Sequence, residues 1–337
     1  MRSILLLVLL LTSTPSLAAV VNVSPSQDLG DVIKSVEMAG VSTQINIMPG
    51  VYKECDIDIA RPVQIYMMGA GASETVIECE TNKTNDRVIL ITGQDASSKI
   101  SIRNLGIKFK NTNTKGVPAA ILINQKNNVS LTKEQVNIQD VNIDTESNDI
   151  LVGLMTYNIA PTIRNVRATC KSSSPVSDVK CGWIMFGQSQ TIDNLEGFVF
   201  DSYFKSIGSV NSAAQSARGL SVYKDFGSGN KRSIVNIINT VGIGSTSSGG
   251  ESLGCYCVND SFNMSDTLVC NYYGGVCRGD GETGSRRAFR VTATHDAPVN
   301  ANIYGTIASG NPNLSTLLQI YGENTKVPLK PIITEAR

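Results

Sequence analysis

Ile102-Arg103-Asn104-Leu105-Gly106-Ile107 returns as Ile138-Gln139-Asp140-Val141-Asn142-Ile143 and again as Ile163-Arg164-Asn165-Val166-Arg167-Ala168. Ile192-Asp193-Asn194-Leu195 and Ile238-Asn239-Thr240-Val241-Gly242-Ile243 continue the series. The shared shape is apolar, any, polar, apolar, any, apolar, with Asn, Asp or Thr in the third place. Alternation at every second position marks short strands, not helices. The copies start 36, 25, 29 and 46 residues apart, so no fixed-length repeat exists. Irregular spacing of one motif points to stacked coils joined by connections of variable length. Stacking would align the third-place polar residues, whose side chains would then hydrogen-bond along the stack. A β-sandwich is the competing architecture. It calls for two-residue Asn-Gly or Asp-Gly hairpin turns, and few are present, Asp280-Gly281 being one.

Upstream of the repeats, Leu29, Val32, Ile33 and Val36 recur at helical spacing in residues 26–39. Ser26 is placed to cap this helix, Asp28 falls in its first turn, and Gly40 stops it. A solenoid exposes unpaired strand edges at its end, and one amphipathic helix is a suitable cover. Further upstream, Arg2, the apolar run Ile4–Leu11 and Ser16-Leu17-Ala18 form the three parts of a secretory signal peptide over residues 1–18. That apolar run is too short to span a bilayer, and no later run approaches the required length. The expected location is secreted, periplasmic or at the cell surface, without a membrane span.

The chain has 29 basic and 29 acidic residues, with only 17% charged and 41% hydrophobic, which supplies a core and no basic footprint for nucleic acid. Export turns the eight cysteines into disulfide candidates. Cys55 and Cys79 lie 24 residues apart, about one coil, and Cys170 and Cys181 would close a short loop. Cys255, Cys257, Cys270 and Cys277 lack the paired CxxC spacing of a zinc site, so disulfides are favoured there, with connectivity open. The expected organisation is a solenoid over 19–245, a Cys-rich insertion over 246–284, and C-terminal strands and a tail over 285–337.

Two stretches carry a resemblance to a known family. Ile45-Asn46-Ile47-Met48-Pro49-Gly50-Val51-Tyr52-Lys53-Glu54 contains GxYxE, and Gly69-Ala70-Gly71 is followed by Thr75-Val76-Ile77. With the preceding helix, they resemble the opening coils of pectin methylesterases, within the pectin-lyase-like superfamily. The resemblance covers about residues 26–125 and implies an all-β, right-handed parallel β-helix, a single-stranded solenoid with an N-terminal capping helix. It implies action on uronate-rich polysaccharide. The family's catalytic Gln position, however, holds Val117 or Pro118, the QDTL and LGRPW motifs are absent, and Asp225-Phe226-Gly227 is a short, late match to DFIFG.

Sugar acid/base chemistry needs carboxylates in contrasting environments, or a carboxylate with a basic partner. Asp201 and Asp225 are 24 residues apart, about one coil, and Arg218 lies between them, which makes Asp201, Arg218 and Asp225 the candidate catalytic set. Lys224 and the aromatic pair Tyr272-Tyr273 are the candidate substrate contacts. His295-Asp296 lacks a GxSxG elbow, so a hydrolase triad is not expected. No metal ligand set is expected: Asp56 and Asp58 should face water, and no calcium-loop repeat accompanies them. The two functions in view are an esterase or lyase on uronate-rich glycan, and a non-catalytic glycan-binding or adhesin-like protein. Either would act as a monomer with polysaccharide as its partner.

Overall fold

The computed structural model describes residues 19–333, except 115, 125–130, 149–150, 174–177, 188–193, 209–215, 226–231, 247–249, 282–284, 296, 311–317, 322–324 and 327–328. The expected signal peptide lies outside the described residues. The expected all-β parallel helix is what the chain forms. Between the terminal strands, each coil contributes strands to three rows, and each row pairs in parallel with the same row of the next coil. Thr43–Ile47 pairs with Gln64–Gly69, and that strand with Lys99–Asn111, in the first row. Gly50–Lys53 pairs with Thr75–Thr81 in the second row. The third row is a nine-stranded sheet running from Ile57–Ile59 to Leu318–Tyr321.

The repeat produces an inward column. Ile45, Met67, Ile102, Ile138, Ile163, Val199, Ile237, Tyr272 and Ile303 are consecutive register partners, and all are buried. Burying one such aliphatic side chain contributes about 1.5–3 kcal/mol, and coil after coil adds to the same column. The polar third place is the corner between the first and second rows. Asn104, Asp140 and Asn165 have φ of 56°, 54° and 48°, the left-handed region that Asn and Asp tolerate best. Two of the three link along the stack, Asn165 Nδ2 donating to Asp140 Oδ1 at 2.6 Å.

Two copies of the repeat are out of phase with this corner. Residue 192 lies outside the described residues, and Asn194 instead opens the strand Asn194–Phe200, whose corner is Asp201 with φ of 47°. In the next coil the corner is Asn239, the second place of its copy, with φ of 49°. Asn239 Nδ2 donates to Asp201 Oδ1 at 2.8 Å, so the corner-to-corner bond recurs between these two coils.

The helix spans Leu29–Ala39 and buries Leu29, Ile33 and Val36 against the first coils. Its cap is Asp28, not Ser26, because the Asp28 carboxylate accepts the Asp31 N–H at 2.8 Å. Gly40 ends it in the left-handed region, φ 65°. Glu54 completes the N-terminus by accepting from Leu29 N at 2.7 Å and Gly30 N at 3.0 Å. The GxYxE motif is therefore a fold-forming device. Gly50 leaves room for Pro25, whose Cγ would lie 2.3 Å from an added Cβ. Tyr52 OH, at a buried position, donates to Val23 O or Met48 O at 2.8 and 3.0 Å. In the next coil Thr75 Oγ1 accepts from Ala70 N and lies 3.2 Å from Ile47 O, which it meets as a donor.

The cysteines form four disulfides: Cys55–Cys79, Cys170–Cys181, Cys255–Cys277 and Cys257–Cys270. Within the expected insertion over 246–284, the described strands belong to the ordinary solenoid. Glu251–Asn259 pairs with Ser216–Lys224, Thr267–Tyr273 with Arg232–Ile238, and Val276–Gly281 with Val241–Thr246. The cysteines there are buried and fill inward positions that aliphatic residues fill elsewhere, which made the stretch look foreign. Among the described residues no helix is long and apolar enough to cross a membrane.

Candidate glycan-binding face

The three expected catalytic residues are spread over the coil. Asp201 is an exposed corner between the first and second rows. Arg218 lies near the start of the third-row strand Ser216–Lys224, and Asp225 follows that strand's last residue. Seven residues of extended chain separate Arg218 from Asp225 by about 23 Å. The expected one-coil spacing does not hold: the coil here is 38 residues long, Phe200 pairing with Ile238, so 24 residues fall short of a turn and leave Asp201 and Asp225 at different points of it. Lys224 points into the interior, wholly buried, with Nζ 3.4 Å from Thr267 O, and burial pushes its amine down to about 8. Tyr272 belongs to the inward column and meets Phe289 edge-on, so it offers no ring to a sugar. Burial raises its hydroxyl above the usual range. Tyr273 is exposed and stacks on Tyr304 with ring centroids 5.6 Å apart. Strand alternation explains this division of the pair: neighbours face opposite sides of the wall.

Arg218 does belong to a dense cluster, with partners the sequence did not single out. On the outer face of the third row, Val152, Lys180, Arg218, Leu253 and Arg287 are successive register partners, as are Met155, Trp183, Ser221, Tyr256 and Arg290. Asp178 lies 3.5 Å from both Lys180 Nζ and Arg218 Nη2, and it accepts from Ser216 Oγ at 2.6 Å. Burial alone would raise the Asp178 carboxyl, but Arg218, Ser216 and Lys180 outweigh it and hold it below the usual range. Burial, reinforced by Arg218, pushes the Lys180 amine down against the pull of Asp178. Glu251 accepts from Arg290 Nη1 at 2.9 Å and from Arg287 Nη1.

Cations and aromatic rings are layered on this face. Lys180 Nζ sits 4.3 Å from the Trp183 ring, and Tyr256 lies between the Arg218 and Arg290 guanidinium groups, at 4.8 and 5.3 Å. Such contacts hold a guanidinium flat on a ring and keep its edge for other partners. Lys180, Arg218, Arg287 and Arg290 stand against Asp178 and Glu251, an excess of two positive charges. Further along, Tyr223 OH donates to Asp260, whose other oxygen is 3.6 Å from His295 Nε2, and Phe262 stacks on His295. Asp296, the neighbour that suggested a hydrolase, lies outside the described residues.

The other two faces differ in chemistry. The second row alternates charge between coils, with Lys108 bonded to Glu78 at 2.9 Å and Lys110 to Glu80 at 2.8 Å, which leaves little net field. The first row carries an outward amide ladder: Asn302 donates to Asn271, Asn271 to Asn236, and Asn236 to Glu196. Asp56 pairs with Lys83 at 2.9 Å, and burial, helped by Glu37 and Asp56, raises the Asp58 carboxyl. Among the described residues, the grouping tight enough for a metal is Cys55, Cys79 and Asp86, and its two sulfurs are bonded to each other.

Compared with protein-family models, curated proteins and solved structures, the chain matches none.

Proposed function

We propose that this protein binds acidic polysaccharide through the outer face of its third row, as an exported, non-catalytic β-helix. The observation that carries this reading is the layering of Lys180, Arg218 and Arg290 on Trp183 and Tyr256, with two positive charges in excess. Uronate sugars present a carboxylate on a ring with an apolar face, so they meet a guanidinium edge and the half-buried Trp183 ring together, while Tyr256 beneath holds the two arginines in place. The resemblance of residues 26–125 to pectin methylesterases favours the same ligand class. The separation of Asp201, Arg218 and Asp225 favours binding over turnover.

Affinity electrophoresis through gels containing polygalacturonate, alginate or a neutral glucan tests the proposal. Retardation is expected in the two acidic gels, decreasing as salt rises, and lost in the double variant Arg218→Ala, Arg290→Ala. Equal mobility in acidic and neutral gels would sink the idea. One observation favours a lyase as a second reading: the Lys180 amine, pushed down beside Arg218, resembles a base next to a carboxylate-neutralising group. Unsaturated product from either acidic polymer, lost in Lys180→Met, would support that reading.

A further inference from the structure

Arg286 is the largest wholly buried side chain among the described residues, at 0% exposure. Its Nε, Nη1 and Nη2 are all buried, and none has a hydrogen-bond partner. Arginine keeps its charge in proteins and brings five N–H donors. Left alone, a buried cation costs several kcal/mol, so a folded chain needs something to neutralise it. Among the described residues, the carboxylates on the strands that flank this corner are committed elsewhere, Glu251 to Arg287 and Arg290, Asp280 to Arg278.

Among the described residues, the surroundings of Arg286 add a donor and no negatively charged acceptor. Its register partner in the preceding coil is Ser252, also wholly buried. Ser252 Oγ and Thr246 Oγ1 lie 2.9 Å apart and share one hydrogen bond, and Thr246 N donates to the same Ser252 oxygen. Two hydroxyls sharing one bond leave one O–H hydrogen over. Backbone also packs closely at this corner, where an added Cβ on Gly279 would lie 2.5 Å from Arg287 N and one on Gly281 2.3 Å from Thr246 O. A small round ion fits such a corner better than a polyatomic one.

We infer that the interior between the second and third rows holds a monatomic anion of the chloride type, bound by the Arg286 guanidinium with help from the Ser252 and Thr246 hydroxyls. The site is occluded, so the ion enters as the chain folds and stabilises the native state by mass action. It is independent of the glycan face, since Arg286 points inward and the proposed ligand contacts point outward.

The test is urea unfolding and refolding of the whole chain in sodium chloride and in sodium gluconate at equal ionic strength. Chloride at a hundredfold excess over its dissociation constant should raise the folded-to-unfolded ratio about a hundredfold relative to gluconate. Arg286→Met should abolish this dependence and lose nothing in gluconate, because it removes the unneutralised charge. Should that variant fail to fold, bromide anomalous scattering from crystals of the native chain still decides, with a peak expected beside Arg286. Identical midpoints in the two salts, an unchanged chloride dependence in Arg286→Met, or an empty bromide map at Arg286 each overturns the proposal.

Discussion

Lys224 carries its charge at a structural cost. Its folded pKa of about 8 lies below the ordinary lysine value of 10.5, so the fold disfavours the protonated form. Below pH 8 the native state bears that cost in full. Between pH 8 and about 10.5 the unfolded chain holds the proton that the native chain has released, so stability rises with pH across that window. The rise is at most about 3 kcal/mol, attraction to Asp266 having already offset part of the effect of burial. Urea midpoints from pH 7 to pH 10.5 should climb in the native protein and stay flat in Lys224→Met. Glu54 offers a second check. Its carboxylate holds two helix N–H groups, so Glu54→Ala should lose about 1–2 kcal/mol by the same measurement. The motif containing Glu54 was visible in the sequence, and its work proved structural. Trp183 and Tyr256 were not singled out as a pair, because their meeting with Lys180, Arg218 and Arg290 depends on register across four strands.

At the scale of the strand and its corner, a five-residue alternation fixes which residues face in, and the corner fixes where the next row begins. Those two rules were legible for the coils with corners at Asn104, Asp140 and Asn165, where the third place of the repeat adopts positive φ. They failed by phase at Asp201 and Asn239, because an apolar-polar-apolar pattern recurs by chance in chains rich in Asn, Ser and Thr. The same alternation divides Tyr272 from Tyr273. Asn165→Ala should cost about 1–2 kcal/mol through backbone strain and the lost bond to Asp140, and Asn165→Gly should cost less, since glycine accepts that φ. Thermal melts of the two variants will rank them. The opposite order would mean that the side-chain ladder, not the backbone, holds the corner.

Across the whole molecule, each coil touches mainly its neighbours, so local stabilities add along the axis. Composition announced the fold at this scale: few charges, many β-branched residues, and cysteines sufficient for four pairs. It misjudged the late Cys-rich stretch, since half-cystine replaces aliphatic bulk inside the wall without altering the strand pattern. Three disulfides, Cys55–Cys79, Cys255–Cys277 and Cys257–Cys270, join adjacent coils, and Cys170–Cys181 joins two rows of one coil. Reduction should therefore loosen the C-terminal coils before the middle of the stack. Hydrogen exchange after mild reductant should show lost protection first within 251–281, as two of the four pairs lie there.

The coil-to-coil disulfides also set how the molecule bears a load. A solenoid pulled by its ends pays out chain as coils peel away in order. Cys255 and Cys277 are 22 residues apart, so their bond withholds about 75 Å of contour length from any stretching event. A tether of this protein would lengthen in unequal steps when oxidised, and further in total once reduced.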